Sequence, residues 1–287
     1  MPELPEVETM CRGIAGAVGS RVVDVQRPPC DRRPILFTPD LELFAKRIVG
    51  HRISRIGRRG KRVLIYFDDD QVIVIEPRMT GLVLVAQPPT DQHLRLRLVL
   101  DGGSHDELLF WDRRGLGTVR LLTKSEADDV LGLGRIGSDA LEIGREELRQ
   151  RLSASRRAIK VALLDQKLIA GVGNLYAAEI LHVAGVDPRL RCDRVSGPQW
   201  GRIHQAISVV LEDAILHEGS TLSDGTYRNA LNQNGGYQNM HRVYDRGGEV
   251  CSRCGGLIVR IVQAQRSTFF CPTCQQRRGM HASLGEK

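Results

Sequence analysis

Residues 158–181 read AIKVALLDQKLIAGVGNLYAAEIL. An apolar helix stops at a Gly-rich turn, and a second helix begins after Asn174. Gly171 and Gly173 permit tight or left-handed turns, and Asn174 is a favoured N-cap residue. Such a turn points backbone N–H groups outward at a helix start, which suits a phosphate. Lys160, one to two turns upstream, adds charge. The same pattern also fits an ordinary helix hairpin. Further helices fit residues 145–153, 156–166, 175–184 and 198–217, and Ser125 with Asp128 reads as a capping-box start. The second half of the chain is therefore expected to be helical.

Upstream of residue 130 the period is two. In HLRLRLVL, Leu94, Leu96, Leu98 and Leu100 share one face while Arg95 and Arg97 take the other. Similar runs, RVVDVQR, KRVLIYF, QVIVIE, LVLVA, ELLFWD and TVRLL, are divided by Gly, Pro and Asp-rich turns. They predict an antiparallel sandwich or barrel over residues 20–122. Ahead of it, Val7, Met10, Cys11, Ile14 and Val18 fall at helical spacing and predict a helix over 5–18. Pro5 suits its first turn, whereas Pro2 and Glu3 lie ahead of it and need another explanation.

Downstream, residues 219–248 are dense in Gly and Asn and are expected to be a functional, partly mobile loop. After them comes Cys251-x2-Cys254-x16-Cys271-x2-Cys274, the spacing of a four-thiolate zinc site. Four thiolates close the coordination sphere, so one structural Zn2+ is expected. Cys11, Cys30 and Cys192 are scattered and suggest no disulfide framework. Between the cysteine pairs, GLIVRIVQAQRSTFF alternates like a hairpin with Arg266 at or near its tip. An arginine there suits a DNA groove or phosphate, although a zinc ribbon that only packs against protein has the same pattern.

The chain has 287 residues and a net charge of +7. Residues 1–129 hold 20 Lys/Arg against 19 Asp/Glu and residues 130–287 hold 21 against 15, so +6 of the excess lies in the second half. This asymmetry points to a polyanion held largely by the C-terminal half. No secretory signal pattern occurs at the start, and the most apolar long window, LIAGVGNLYAAEILHVAGV, contains Asn174, Glu179 and His182. A soluble, cytoplasmic, monomeric protein without membrane contact is expected.

With these residues in view, the sequence resembles the formamidopyrimidine-DNA glycosylase family. Five ordered segments carry the likeness: PELPEVET at the start, GRRGKRVLI near residue 60, RMTGLV near 80, AIKVALLDQKLIAGVGNLYAAEIL, and AQRSTFFCPTCQ at the end. The resemblance implies an α+β chain: an N-terminal antiparallel β-sandwich domain with an N-terminal helix over 1–130, and a helix-two-turn-helix domain over 131–218. A lesion-covering loop over 219–248, a zinc finger over 249–278 and a tail over 279–287 follow. It implies a bifunctional glycosylase and abasic-site lyase of base-excision repair. The partner is double-stranded DNA carrying oxidised purines or abasic sites.

The resemblance also implies roles. Pro2, exposed once Met1 is removed, is the Schiff-base nucleophile and Glu3 the adjacent proton donor. Lys61 is the proton donor for β-elimination and Arg266 for δ-elimination. Lys61, Asn174 and Arg266 match DNA-phosphate contacts, Lys160 is a basic residue near the lesion, and Met79, Arg114 and Leu116 fill the gap left by the extruded base. Three positions depart from the family pattern. Glu76 in EPRMTG stands where a phosphate-contacting histidine is usual, and is expected either to weaken DNA binding or to pair with Arg78 or Arg114. In DRRGLG, Gly115 replaces a basic residue and Leu116 an aromatic wedge. An endonuclease VIII-like enzyme is the near alternative, but its start usually reads Pro-Glu-Gly-Pro. A non-catalytic DNA binder would need neither Pro2 nor Glu3.

Overall fold

The computed structural model describes residues 2–132 and 134–276; Met1, whose removal the sequence reading requires, the end of the expected zinc finger and the tail 279–287 lie outside the described residues. The chain divides into two compact units, Met1–Asp139 with Leu211–Met240, and Ala140–Val210 with His241–Lys287.

The first unit is a β-sandwich. Helix α1 (Leu4–Gly13) leads into β1 (Arg21–Gln26), β2 (Leu36–Thr38), α2 (Leu41–Ile48), β3 (Ile53–Arg59), β4 (Arg62–Phe67), β5 (Gln71–Glu76), β6 (Gly81–Leu84), β7 (Leu94–Asp101), β8 (Glu107–Asp112), β9 (Thr118–Thr123) and α3 (Lys124–Leu131). One sheet has the order β1-β7-β8-β6 and the other β2-β9-β5-β4-β3. Val7, Met10 and Ile14 from the N-terminal segment join Val63, Ile65, Ile73, Ile75, Leu96, Leu98 and Phe110 in one core cluster. Burying each such side chain contributes about 1.5–3 kcal/mol, which is why the apolar set of each strand fixes its register.

Strands β4 and β5 are buried on both faces. Their opposite set, Leu64, Val72 and Val74, packs with Ala127 and Leu131 of α3 and with Ile136. This explains why VLIYF and VIVI are nearly continuous apolar runs.

Several boundaries differ from the sequence reading. The first helix ends at Gly13 rather than residue 18, and Ala15–Ala17 form a separate 3-10 turn. Helix α3 starts earlier than a cap at Ser125 would allow. The box that forms is Thr123-x-x-Glu126, with Thr123 Oγ1 accepting from Glu126 N at 3.1 Å and Glu126 Oε2 accepting from Thr123 N at 2.7 Å. The longer Glu126 side chain reaches the cap N–H. Strand β2, parallel to β9, and α2 and β3 were not anticipated. Arg95 does not share the solvent face with Arg97. A register shift between Leu94 and Leu96 turns it inward, where it is 4% exposed and its Nε donates to Asp112 O at 3.0 Å.

The second unit holds α4 (Arg145–Leu152), α5 (Ile159–Leu163) and α6 (Asn174–Ala184); α7 (Gly197–Leu216) begins in it. Helix α5 is shorter than the expected 156–166. Ala158 leaves the helical conformation and forms an isolated bridge to Arg191, and Ile159 N donates to Leu190 O at 2.7 Å, so the helix begins only at Ile159. Gly173, not Asn174, caps α6, because the Asn174 amide is used elsewhere. A hairpin of Val259–Gln263 and Arg266–Phe270 follows, pairing Gln263 with Arg266. Its two turn residues, Ala264 and Gln265, have φ of 45° and 61°, the pattern of a tight two-residue turn. Arg266 therefore flanks the tip.

Candidate active site and metal centre

In the first unit the N-terminus is held from inside. Glu3 caps α1 and is 4% exposed, and Pro2 is also buried. Glu6, 3% exposed, accepts from Glu3 N through Oε2 and from Ser220 N through Oε1, both at 2.9 Å. One carboxylate thus ties the Pro2–Glu3 backbone to the segment after α7. Tyr227 Oη donates to Glu218 O at 3.0 Å on the same segment, and burial, then the Glu6 charge, raise its pKa well above the ordinary value. The segment is mostly irregular, yet Ser220, Thr221, Thr226, Tyr227, Asn229, Ala230 and Tyr237 are buried within it.

Lys61 sits half-buried in the tight turn between β3 and β4. The turn is clamped by Arg58 and Asp139. Arg58 pairs with Asp139 through both terminal nitrogens and donates from Nε to Glu8 Oε2 at 2.8 Å, and Gly60 N donates to Asp139 Oδ2 at 2.9 Å. Burial opposes charge on Arg58 and Glu8 alike, but the ion pairs prevail: Arg58 is held above and Glu8 below its ordinary range.

Met79 lies in the β5–β6 turn and Arg114 and Leu116 in the β8–β9 turn; Asp112 brings the two turns together. Asp112, 0% exposed, accepts the Thr80 hydroxyl and Arg114 N on Oδ1, and Gly117 N on Oδ2 at 2.7 Å. Thr80 Oγ1 also accepts from Arg114 N at 3.0 Å. Met79, Arg114 and Leu116 keep solvent exposure above this buried network. Gly115 is required by the turn: its φ is 62°, and a Cβ would meet Arg33 O at 2.3 Å. Glu76 pairs with Arg62 at 3.1 Å and Arg78 at 3.2 Å.

Sequence reasoning missed Thr80, Asp112, Arg58 and Asp139, whose partners lie far along the chain. It also missed His93, which is 9% exposed and packs edge-on against Trp111. Burial, then the charges of Arg95, Arg32 and Arg113, lower its pKa, which marks a concentration of positive charge there.

In the second unit Lys160 is 1% exposed, and its ammonium donates to Asn174 Oδ1 at 2.7 Å, Thr268 Oγ1 at 2.8 Å and Ser267 O at 2.9 Å. Asn174 Nδ2 donates to the same Ser267 carbonyl at 3.1 Å. Lys160 and Asn174 thus converge on the residue beside the exposed Arg266. Gln166 pins the Gly-rich turn, accepting from Gly171 N at 3.0 Å and donating to Val172 O at 2.8 Å.

The sulfurs of Cys251, Cys254, Cys271 and Cys274 lie within 4.8 Å of one another, with Cys254–Cys271 at 3.4 Å and Cys251–Cys274 at 3.9 Å. A tetrahedral zinc with Zn–S bonds of about 2.3 Å separates its sulfurs by about 3.8 Å, so the four fit one structural Zn2+. His182 Nε2 lies 3.5 Å from Cys251 Sγ. Burial, then Arg253, lower its pKa to about 4, so it is neutral at pH 7. Glu179, 0% exposed, accepts N–H bonds from Arg242, Val243 and Tyr244 and secures the entry to this region.

The chain matches the family models of the formamidopyrimidine-DNA glycosylase N-terminal domain over residues 1–119, the glycosylase H2TH domain over 136–226, and the zinc finger found in FPG and IleRS over 248–277. A formamidopyrimidine-DNA glycosylase of Chloroflexus aurantiacus is 41% identical over 278 residues, covering 96% of this chain and 98% of that one. Among solved structures, the Lactococcus lactis Fpg in complex with an abasic site containing DNA is similar with a TM-score of 0.83 and 30% identity, covering 96% of this chain and all of that one. The MutM (Fpg) protein of Thermus thermophilus has a TM-score of 0.82 at 35% identity, with 96% and 98% covered. Among the described residues, no helix is long and apolar enough to cross a membrane.

Proposed function

We propose a reaction for a chain of established kinship: it belongs to the formamidopyrimidine-DNA glycosylase family, the glycosylases of base-excision repair that act on oxidised purines. It binds duplex DNA carrying 8-oxoguanine, a formamidopyrimidine or an abasic site, excises the base through Pro2 and cuts the strand by β,δ-elimination. The observation that carries this reading is the buried Pro2–Glu3 pair, fixed by Glu6 in a chain that matches the family models over residues 1–119, 136–226 and 248–277.

The chemistry follows from the amine. Removal of Met1 makes Pro2 a secondary amine, and α-amino groups titrate at about 7.7–8.0 against about 10.4 for lysine, so a useful fraction is unprotonated near neutrality. The nitrogen lone pair attacks C1′, the glycosidic bond breaks with its electrons going to the leaving base, and Glu3 delivers a proton to the sugar oxygen as the ring opens. The product is an iminium that has no N–H proton to lose. It acidifies C2′–H; loss of that proton expels the 3′ phosphate, and a second elimination expels the 5′ phosphate. Water then releases Pro2. Lys61 and Arg266 are assigned as proton donors to the two eliminations.

Attack requires the nucleotide to leave the stack, which costs a few kcal/mol. Met79, Arg114 and Leu116 fill the vacated space, and Lys160, Asn174 and Arg266 act on the DNA backbone and lesion side. Segment 219–248 covers the flipped base, acting on the N-terminus through the Ser220–Glu6 bond. Residues 1–130, 131–218 and 249–278 serve as catalytic, helical DNA-binding and zinc-finger domains of a cytoplasmic monomer. Borohydride reduction on an 8-oxoguanine duplex tests the reaction: wild type is expected to yield an adduct mapping to Pro2, and Pro2→Gly none. An adduct mapped elsewhere, or Met1 retained in active protein, overturns it.

A further inference from the structure

At one end of the five-stranded sheet, three arginines lie around one carboxylate, two of them paired with it. Glu76 pairs with both Arg62 and Arg78. Arg120 is two residues along β9 from Thr118, which lies opposite Glu76, so Thr118, Arg120 and Glu76 point to one face. Burial, then the charges of Arg78 and Arg120 acting against Glu76, lower the pKa of Arg62. The Nε groups of Arg62 and Arg120 and the Thr118 hydroxyl are buried without hydrogen-bond partners among the described residues. The group therefore carries three positive charges against one negative, with donors left over.

Position gives this surplus a use. Arg62 follows Lys61, Arg78 precedes Met79, and Thr118 comes two residues after Leu116. The side chain of Arg78 is 55% exposed, against 16% for Arg62 and 12% for Glu76, so Arg78 is the arm that reaches solvent. Its φ of 56° places a non-glycine residue in the left-handed region, a conformation L side chains rarely adopt. The ion pair to Glu76 accompanies that conformation. Clustered guanidiniums present planar forks that match phosphate oxygens.

We propose that Arg62, Arg78 and Arg120 form a binding site for one phosphodiester of the DNA strand, with Glu76 gathering the guanidiniums in the free protein and yielding to the phosphate on binding. The site rests on the DNA-binding reading above. It assigns Glu76 a gathering role, so its negative charge is not a simple loss of affinity at this position.

Fluorescence anisotropy of the zinc-loaded full chain on a duplex with a tetrahydrofuran abasic analogue tests it, over about 50–300 mM salt, where each neutralised phosphate contributes about −0.9 to the slope of log K on log salt. Arg78→Gln and Arg120→Gln are each expected to make the slope shallower by roughly one and to weaken binding about tenfold at the low-salt end. Because they share one phosphate, the double variant is expected to lose no further slope. Glu76→Gln is expected to tighten binding several-fold. Wild-type slopes in both arginine variants, slope losses that add in the double variant, or weaker binding by Glu76→Gln would each overturn the site. Arg78 is solvated, so its variant reads the site without disturbing the core. A wild type that binds the duplex but gives no borohydride adduct overturns the reaction and not this site, which stands or falls on the slopes.

Discussion

Replacing Asp112 by asparagine tests whether two turns distant in sequence act as one probe of the DNA stack. The carboxylate is fully buried and accepts three hydrogen bonds, from Thr80, Arg114 N and Gly117 N. Asparagine keeps the size and loses one acceptor and the charge. If its carbonyl faces Gly117 N, the NH2 faces Thr80, whose hydroxyl proton loses its acceptor, and Arg114 N keeps only Thr80 Oγ1. If it flips, its NH2 meets the Gly117 N–H donor to donor. Hydrogen bonds to charged groups contribute about 1.5–3 kcal/mol and neutral ones about 0.5–1.5, so the better orientation still loses about 2–4 kcal/mol. Urea unfolding is expected to show that loss. The turns carrying Met79, Arg114 and Leu116 should loosen, so excision of 8-oxoguanine is expected to fall at least tenfold, the equivalent of about 1.4 kcal/mol, while cleavage of a preformed abasic site changes little. A loss below about 1 kcal/mol together with equal effects on both substrates would refute the reasoning.

Met79→Ala is expected to lower cleavage of intact lesions more than of abasic DNA, and equal losses on the two substrates would count against a wedge role. Gly115→Arg places a basic residue in the turn but adds a Cβ at 2.3 Å from Arg33 O at φ 62°; it is expected to destabilise by about 1–3 kcal/mol in urea titrations, and a neutral result would show that the turn relaxes. His241 is held down to about 4, first by burial, from an ordinary value of 6.5. Between those pH values the unfolded chain binds the extra proton, so unfolding free energy falls as pH drops from about 6.5 towards 4, and His241→Gln is expected to flatten that slope by up to one proton. An unchanged slope would reject the assignment. Chelation of zinc is expected to unfold the hairpin bearing Arg266 and to abolish lesion binding until zinc is restored, read by circular dichroism and anisotropy.

Local pattern carried the strand-then-helix order, the four-thiolate spacing and the family-bearing segments, because periodicity, turn residues and ligand spacing are properties of neighbouring residues. Boundaries failed where a distant partner competed: Ala158 left its helix to bridge Arg191, and Asn174 gave up the cap to bind Lys160 and Ser267. Arg95 turned inward only because a bulge shifted its strand. The sequence by itself determined which residue types stand at the N-terminus, in the two turns and at the four thiolates. Tertiary structure alone decided that Thr80 and Asp112 join two turns, that Asp139 holds the turn of Lys61, and that Glu76 pairs with Arg62 of the neighbouring strand. Those contacts pair residues that are remote in the chain, and a hydrogen bond or ion pair depends on distance in space, on which sequence spacing is silent.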